Sequence, residues 1–255
     1  MPVLGLGTWD LRGRQCVECV LSALECGYRL IDTARMYGNE EEVGKALVLS
    51  GVSRQEIFVT SKICAPDNSY AGAKKAVENS LERLGLDYLD LMLIHEPYRE
   101  AGEMYRALEE AYNQGVIKAI GVSNFNPDFY FNFMKGCRII PVVNQVEAHV
   151  FYQRSEFKNR LLQSGTVMEA WSPFAAGKKD IFHNDILRTV GSKYGKSAAQ
   201  IALKFLVQNG IPAIPKSSSA KRIKENIDIF DFQLDAEDME KIRVLDGGQS
   251  LFGWY

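Results

Sequence analysis

Eight apolar, β-rich runs alternating with stretches of helical period predict an α/β chain folded as a (β/α)8 barrel. Three observations carry that reading. Eight such units fit a chain of 255 residues. The strand cores are apolar on both faces, as a parallel sheet covered by helices requires. Each run also gives way at its C-terminal end to polar or reactive residues, which a barrel would gather on one rim. An open doubly wound sheet is the runner-up, because alternation alone does not distinguish an open sheet from a closed one. No stretch rich in Gly and Pro offers a linker, so residues 1–255 read as a single barrel domain.

The runs lie at residues 3–8, 28–34, 56–63, 88–96, 116–124, 141–150, 165–173 and 211–217. Between them, Asn39 with Glu42, Ser53 with Glu56 and Ser197 with Gln200 have capping-box spacing, Ser53 opening only a single turn before a strand. Asp235 is a further N-cap, helped by Glu237 and Asp238 at the positive end of the helix dipole. Gly27, Gly85, Gly115 and Gly210 supply the helix stops after residues 21–26, 73–84, 104–114 and 201–209.

Composition then limits the function classes. With 46% hydrophobic and 24% charged residues the chain is an ordinary globule, and no apolar run is long enough to span a bilayer. A net charge of −2 offers no general attraction to nucleic acid or anionic lipid. No export signal follows Met1, so the cytoplasm is the expected compartment. Cys16, Cys19, Cys26, Cys64 and Cys137 are odd in number and lie in or beside apolar patterns, as reduced thiols do. The CxxC at Cys16 and Cys19 has no second pair for zinc, and no metal is expected. Two apparent nucleotide motifs fail on spacing: Gly5 to Asp10 lacks the third glycine of a dinucleotide fingerprint. Gly191 to Ser197 has three residues between its glycines where a P-loop needs four.

The shared rim would carry Thr8 and Trp9, Asp32, Lys62, His95, Ser123 and Asn124, Gln145 and Glu147, Trp171 and Ser172, and Lys216 and Ser217. Singly, Asp32 reads as a turn residue, Tyr37 as a packing aromatic and His95 as a satisfied strand-end histidine. Lys62, directly after an apolar run, needs a counter-charge, and Asp32 can supply it. The four together read as chemistry. A tyrosine keeps its proton at neutral pH, a nearby ammonium stabilises the phenolate left behind, and a histidine can orient a carbonyl oxygen. That set would serve as the general acid for reducing a carbonyl.

Around these residues stand DTARMYGNEEEVG, TSKI and LIHEP, with GLGTW near the start, AIGVSNF at 119–125, NQVEAH at 144–149, AWSP at 170–173 and IPKSSSAKRIKEN at 214–226. In these motifs, which span nearly the whole chain, the sequence resembles the aldo-keto reductase superfamily. It looks most like the microbial branch of 2,5-diketogluconate reductase and prostaglandin F synthase. The resemblance implies a TIM barrel that binds NADPH, with hydride supplied by the nicotinamide, Tyr37 as acid, Lys62 and Asp32 tuning it and His95 aiming the carbonyl. By the same resemblance Ser123, Asn124 and Gln145 hold the carboxamide, and Trp171 stacks on the nicotinamide. Ser172, Phe174 and Gly177 lie along the pyrophosphate. Lys216, Ser217 and Arg222 take the 2′-phosphate, with Glu225 and Asn226 near the adenine.

Trp9, Phe125 and Trp254 are expected to wall an open substrate mouth, and Glu96 stands where relatives often carry a tryptophan or other bulky residue. The family's barrel-plugging N-terminal hairpin is expected to be missing, because the chain starts almost at its first strand, and apolar residues at the barrel floor should then be exposed. The expected partner is a small-molecule carbonyl substrate, with the chain a monomer, although oligomers stay open. A cofactor-binding regulatory or sensor protein with little turnover, and a Schiff-base aldolase on Lys62, are the rivals.

Overall fold

The computed structural model describes residues 1–253. Strands β1 (Leu6–Gly7), β2 (Leu30–Asp32), β3 (Phe58–Ile63), β4 (Leu91–Ile94), β5 (Ile120–Ser123), β6 (Val143–Glu147) and β7 (Val167–Trp171) form one parallel sheet in chain order. The eighth run does not form a ladder strand. It closes the barrel through isolated parallel bridges, Leu4 to Ala213 and Gly7 to Lys216 on one side and Ala170 to Ala213 on the other. The cause is Pro212 and Pro215, which have no N–H to donate. Their carbonyls still accept, from Ala170 N at 2.8 Å and from Gly7 N at 3.1 Å, and Ala213 N donates to Val3 O at 3.0 Å. A Cβ at Gly7 would stand 2.7 Å from the Ile214 carbonyl, so closure at this seam requires glycine. The sheet is therefore a barrel and not an open doubly wound sheet.

The strands alternate with α1 (Gly13–Glu25), α2 (Glu40–Leu49), α3 (Tyr70–Leu84), α4 (Ala101–Asn113), α5 (Pro127–Phe133) and α6 (Ser155–Gln163); α7 (Asp185–Tyr194), α8 (Ala198–Gln208), α9 (Ala220–Ile227) and α10 (Ala236–Arg243) follow β7. The main core lies between sheet and helices, where Ile31, Val59, Met92, Ile94, Ile120, Val122 and Val146 meet apolar helix faces. A smaller cluster of Leu91, Leu93 and Val143, with Phe58 and Ala119 against it, is separate from that layer. At the ends of the runs opposite the predicted rim, Val3 is 41% exposed and Val142 37%.

Helix ends follow the chain's polar punctuation. Ser197 and Gln200 form a complete capping box, Asp235 accepts from Asp238 N at 2.9 Å, and Gly85 ends α3 with φ 64°. Ser53 makes no side-chain cap and precedes a single 3-10 turn, Arg54–Glu56. Asn39 departs from its expected role: it makes no cap to α2. Instead it is buried, accepts from Thr33 Oγ1 at 2.8 Å and donates to the Thr8 and Leu11 carbonyls at 2.9 and 3.0 Å. Three loop partners outbid one helix N–H. Among the described residues, no helix is long and apolar enough to cross a membrane, and Cys16 and Cys19 are buried free thiols.

Candidate active site

A strand sends alternate side chains to opposite faces. Asp32, Lys62, Gln145 and Glu169 thus share the barrel interior with Leu30, Phe58, Val143 and Val167, two or four residues earlier on the same strands, and hydrogen bonds join all four. Lys62 is 0% exposed and donates from Nζ to Asp32 Oδ1 at 2.6 Å, to the Thr33 carbonyl at 3.0 Å and to Tyr37 Oη at 3.1 Å. Three acceptors use all three hydrogens of the ammonium. Tyr37 comes from the 3-10 turn Arg35–Tyr37 that follows β2, steadied by the ion pair of Arg35 with Asp67. Gly38, at φ 61°, then redirects the chain into α2.

His95 lies one residue past β4. Its ring centroid is 5.7 Å from that of Tyr37, at 71°, and the Trp9 ring is 4.9 Å from Tyr37 at 65°. The expected tetrad therefore converges, with Trp9 half exposed beside it.

Electrostatics give each member a protonation state. Burial would lower Lys62, but Asp32 and then Tyr37 outweigh it and hold the ammonium up at about 12. Burial pushes Asp32 up, while Lys62 and the Gln145 amide pull it back. With 2.6 Å between Lys62 and Asp32, and a further amide N–H on Asp32 at 2.9 Å, we read the pair as ionised. Burial holds the Tyr37 phenol above its ordinary value against the pull of Lys62, so its proton is present at neutral pH. Burial, and then Lys62, depress His95 to about 3, which makes it a neutral imidazole. Glu96 is pushed up to about 7 by burial, against the Asn124 amide, which donates to its Oε1 at 3.1 Å.

The residues expected along a cofactor fall along one arc of the rim. Ser123 and Gln145 pair across β5 and β6, and Ser123 is 1% exposed with a hydroxyl that has no partner among the described residues. Asn124, at φ 62°, accepts from Trp171 Nε1 at 2.7 Å, which fixes the indole plane. Ser172 and Gly177 have φ of 52° and 78° in the loop after β7, where the Phe174 ring lies 5.6 Å from that of Phe182. Lys216 and Arg222 are exposed where α9 begins, Asn226 is buried at 4% exposure, and Ser217 exchanges hydrogen bonds with the Ser219 backbone.

One assignment is corrected. Phe125 is 0% exposed and packs edge-on against Phe129 and Phe133, at 4.9 and 5.0 Å, so it does not wall a mouth. The left-handed turn at Asn124 resets the strand's alternation and sends the next side chain into the helix layer. Glu225 is engaged in the fold, accepting from Ser197 Oγ at 2.6 Å, which ties α9 to the cap of α8. Trp254 lies outside the described residues.

Three roles escape the sequence reading, which has Asn39 only as a cap and Glu147 only on the rim. Asn39 pins the loop below Tyr37. Glu147 receives Ser250 Oγ at 2.5 Å and Leu251 N at 2.8 Å, which anchors the C-terminal segment and sets the Phe252 ring 5.3 Å from Trp171. Glu169 accepts from Gln145 Nε2 at 2.8 Å. Its signal was available, as a carboxylate inside an otherwise apolar strand.

The chain matches the model of the aldo/keto reductase family over residues 3–246. It is 45% identical over 247 residues to the glyoxal reductase of Bacillus subtilis (strain 168), covering 96% of this chain and 89% of that one. Among solved structures, an aldo-keto reductase from a Medee basin deep-sea metagenome library superposes with TM-score 0.96 at 42% identity, over 99% of this chain and 94% of the other. A Bombyx mori aldo-keto reductase in complex with NADP gives 0.92 at 32%, over 98% and 91%. The chain belongs to the aldo/keto reductase family, and its fold is that family's TIM barrel.

Proposed function

We propose that this protein is an NADPH-dependent oxidoreductase that reduces aldehyde or ketone carbonyls to alcohols. The observation that carries the reading is the Lys62 ammonium held between Asp32 and Tyr37, with a neutral His95 beside the phenol. As the carbonyl oxygen gains negative charge, Tyr37 Oη gives it a proton, and Lys62 stabilises the phenolate that remains. Asp32 keeps Lys62 charged and aimed. His95, kept neutral, offers a hydrogen bond to the same oxygen without adding a charge that would compete for the proton.

The residues on the rim fit a dinucleotide phosphate. Ser123 offers an unused hydroxyl, Trp171 a plane fixed by Asn124, and the backbone from 172 to 180 turns through left-handed residues that open its amides. Lys216 and Arg222 add exposed cations to an α9 whose first turn has no side-chain cap. Bound there, the nicotinamide supplies the hydride. Ser172, Phe174 and Gly177 would hold the pyrophosphate, Ser217 would join the two cations on the 2′-phosphate, and Asn226 would lie near the adenine.

The similarity to a glyoxal reductase favours small, polar aldehydes, and Trp9 and Glu96 at the mouth suit a substrate with one apolar and one polar face. The reading takes residues 1–255 as one barrel domain, working in the cytoplasm as a monomer without nucleic-acid or membrane partners. A Schiff-base role for Lys62 is disfavoured, because an ammonium held at about 12 with all its hydrogens committed is no nucleophile. A non-catalytic sensor would have no use for the intact acid.

The test follows NADPH absorbance with glyoxal and a panel of aldehydes, ketones and diketones. Tyr37→Phe should lose about 10²- to 10⁴-fold in turnover while binding NADPH as the parent does. NADPH binding without turnover on any substrate would sink the reductase reading, and a fully active Tyr37→Phe would sink the acid.

A further inference from the structure

Glu169 is the middle residue of β7, between Val167 and Met168 on one side and Ala170 and Trp171 on the other, and it is 0% exposed. A carboxyl group stripped of water in such a place is costly unless a partner takes it. Sheet register supplies the partner, since Gln145 stands directly opposite Glu169. Gln145 Nε2 donates to Glu169 Oε2 at 2.8 Å and to Asp32 Oδ2 at 2.9 Å.

A primary amide has two N–H donors and one carbonyl acceptor. Both donors are therefore committed inside the barrel, one to each carboxyl group. Turning the amide over would set its oxygen against the Asp32 carboxylate, which disfavours the flipped state whether or not Glu169 carries a proton, and Glu169 takes the second donor. Asp32 alone could not do this, because the second hydrogen would be unpartnered and Asp32 is already shared with Lys62. Gln145 Oε1 accepts from no donor among the described residues and is not fully enclosed, so it can take a donor from a ligand.

We propose that Glu169 is a positioning residue that, with Asp32, locks the Gln145 amide so that Oε1 is presented to the carboxamide N–H of the nicotinamide. Glu169 touches neither the substrate nor the reacting atoms. Its effect is to remove a rotamer choice before the cofactor arrives, so that less ordering is left to be done on binding. The inference rests on the NADPH reading above.

The test is equilibrium binding of two ligands to the purified full chain. NADPH carries the nicotinamide; adenosine 2′,5′-bisphosphate has the phosphate end alone. Glu169→Leu should weaken NADPH about tenfold, the loss of one anchoring hydrogen bond to a buried group, and leave the bisphosphate within about twofold. Glu169→Gln, whose side-chain oxygen still accepts from Gln145, should restore NADPH binding to within about threefold of the parent. If Glu169→Leu does not fold, Glu169→Thr, too short to reach Gln145, carries the same two expectations. Unchanged NADPH affinity in the Leu or Thr variant would overturn the inference, as would an equal loss of both ligands. A parent that binds the bisphosphate but not NADPH would instead overturn the cofactor reading, and this inference with it.

Discussion

Lys62 has two duties that a single substitution cannot separate: it neutralises a buried Asp32 and it stabilises the phenolate of Tyr37. Lys62→Met strands Asp32 without its cation and should cost about 3–5 kcal/mol of stability, because the uncompensated charge is what hurts. Adding Asp32→Asn removes that charge, so the double variant should regain most of the stability and none of the turnover. Urea unfolding beside NADPH consumption measures both, and a double variant as unstable as Lys62→Met would show that the pair's charge is not the issue. This quartet was legible in the sequence because strand ends in a barrel must share a rim, so Asp32, Tyr37, Lys62 and His95 could be joined without coordinates. Glu169 stood out as a carboxylate in an apolar strand, but its partners and those of Asn39 were not legible, since they lie far along the chain: Asn39 reaches back to Thr8, and Gln145 carries Glu169 to Asp32. Phe125 misled for a local reason, the left-handed turn at Asn124 that breaks the alternation.

The eighth run shows what pattern alone conveys about an element. Its apolar content marked a strand and its place closed the barrel, but Pro212 and Pro215 reduce the ladder to bridges. Capping spacing was similarly partial, because the Asn39 amide is taken up by loop partners, whereas the Ser197 hydroxyl can accept from a helix N–H and still donate elsewhere. Ser197 therefore formed its box with Gln200, and its hydroxyl also donates to Glu225. Ser197→Ala should cost about 1–2 kcal/mol, toward the upper end for a cap, since the Glu225 carboxylate loses its donor as well. A shift of the urea midpoint at constant slope is the expected signature, and a change under a few tenths of a kcal/mol would mean the cap is solvated rather than structural.

Closing a sheet round a Lys62, an Asp32 and a Glu169 makes the molecule's stability depend on pH with a defined sign. Burial, and next the charge of Asp32, push Glu169 from its ordinary 4.5 to about 7, with the Gln145 amide and Lys62 pulling the other way. The folded chain therefore holds a proton on Glu169 that the unfolded chain releases between about pH 4.5 and 7. Stability must fall as pH rises through that window and stay reduced above it. His95 acts at the other end: kept neutral down to about 3 in the fold, it takes a proton near 6.5 when unfolded, so stability also falls as pH drops below 6.5. Glu96, at about 7, adds to the alkaline loss, though its side chain is only partly buried. Glu169→Gln deletes the larger alkaline contribution and leaves the acid one. Its stability relative to the parent should rise between pH 5 and 8 by on the order of 2–3 kcal/mol, and its pH of maximum stability should move upward. Urea unfolding of both proteins from pH 5 to 9 decides it. Parallel curves above pH 6 would mean that Glu169 is ionised throughout, with Lys62 balancing two carboxylates instead of one.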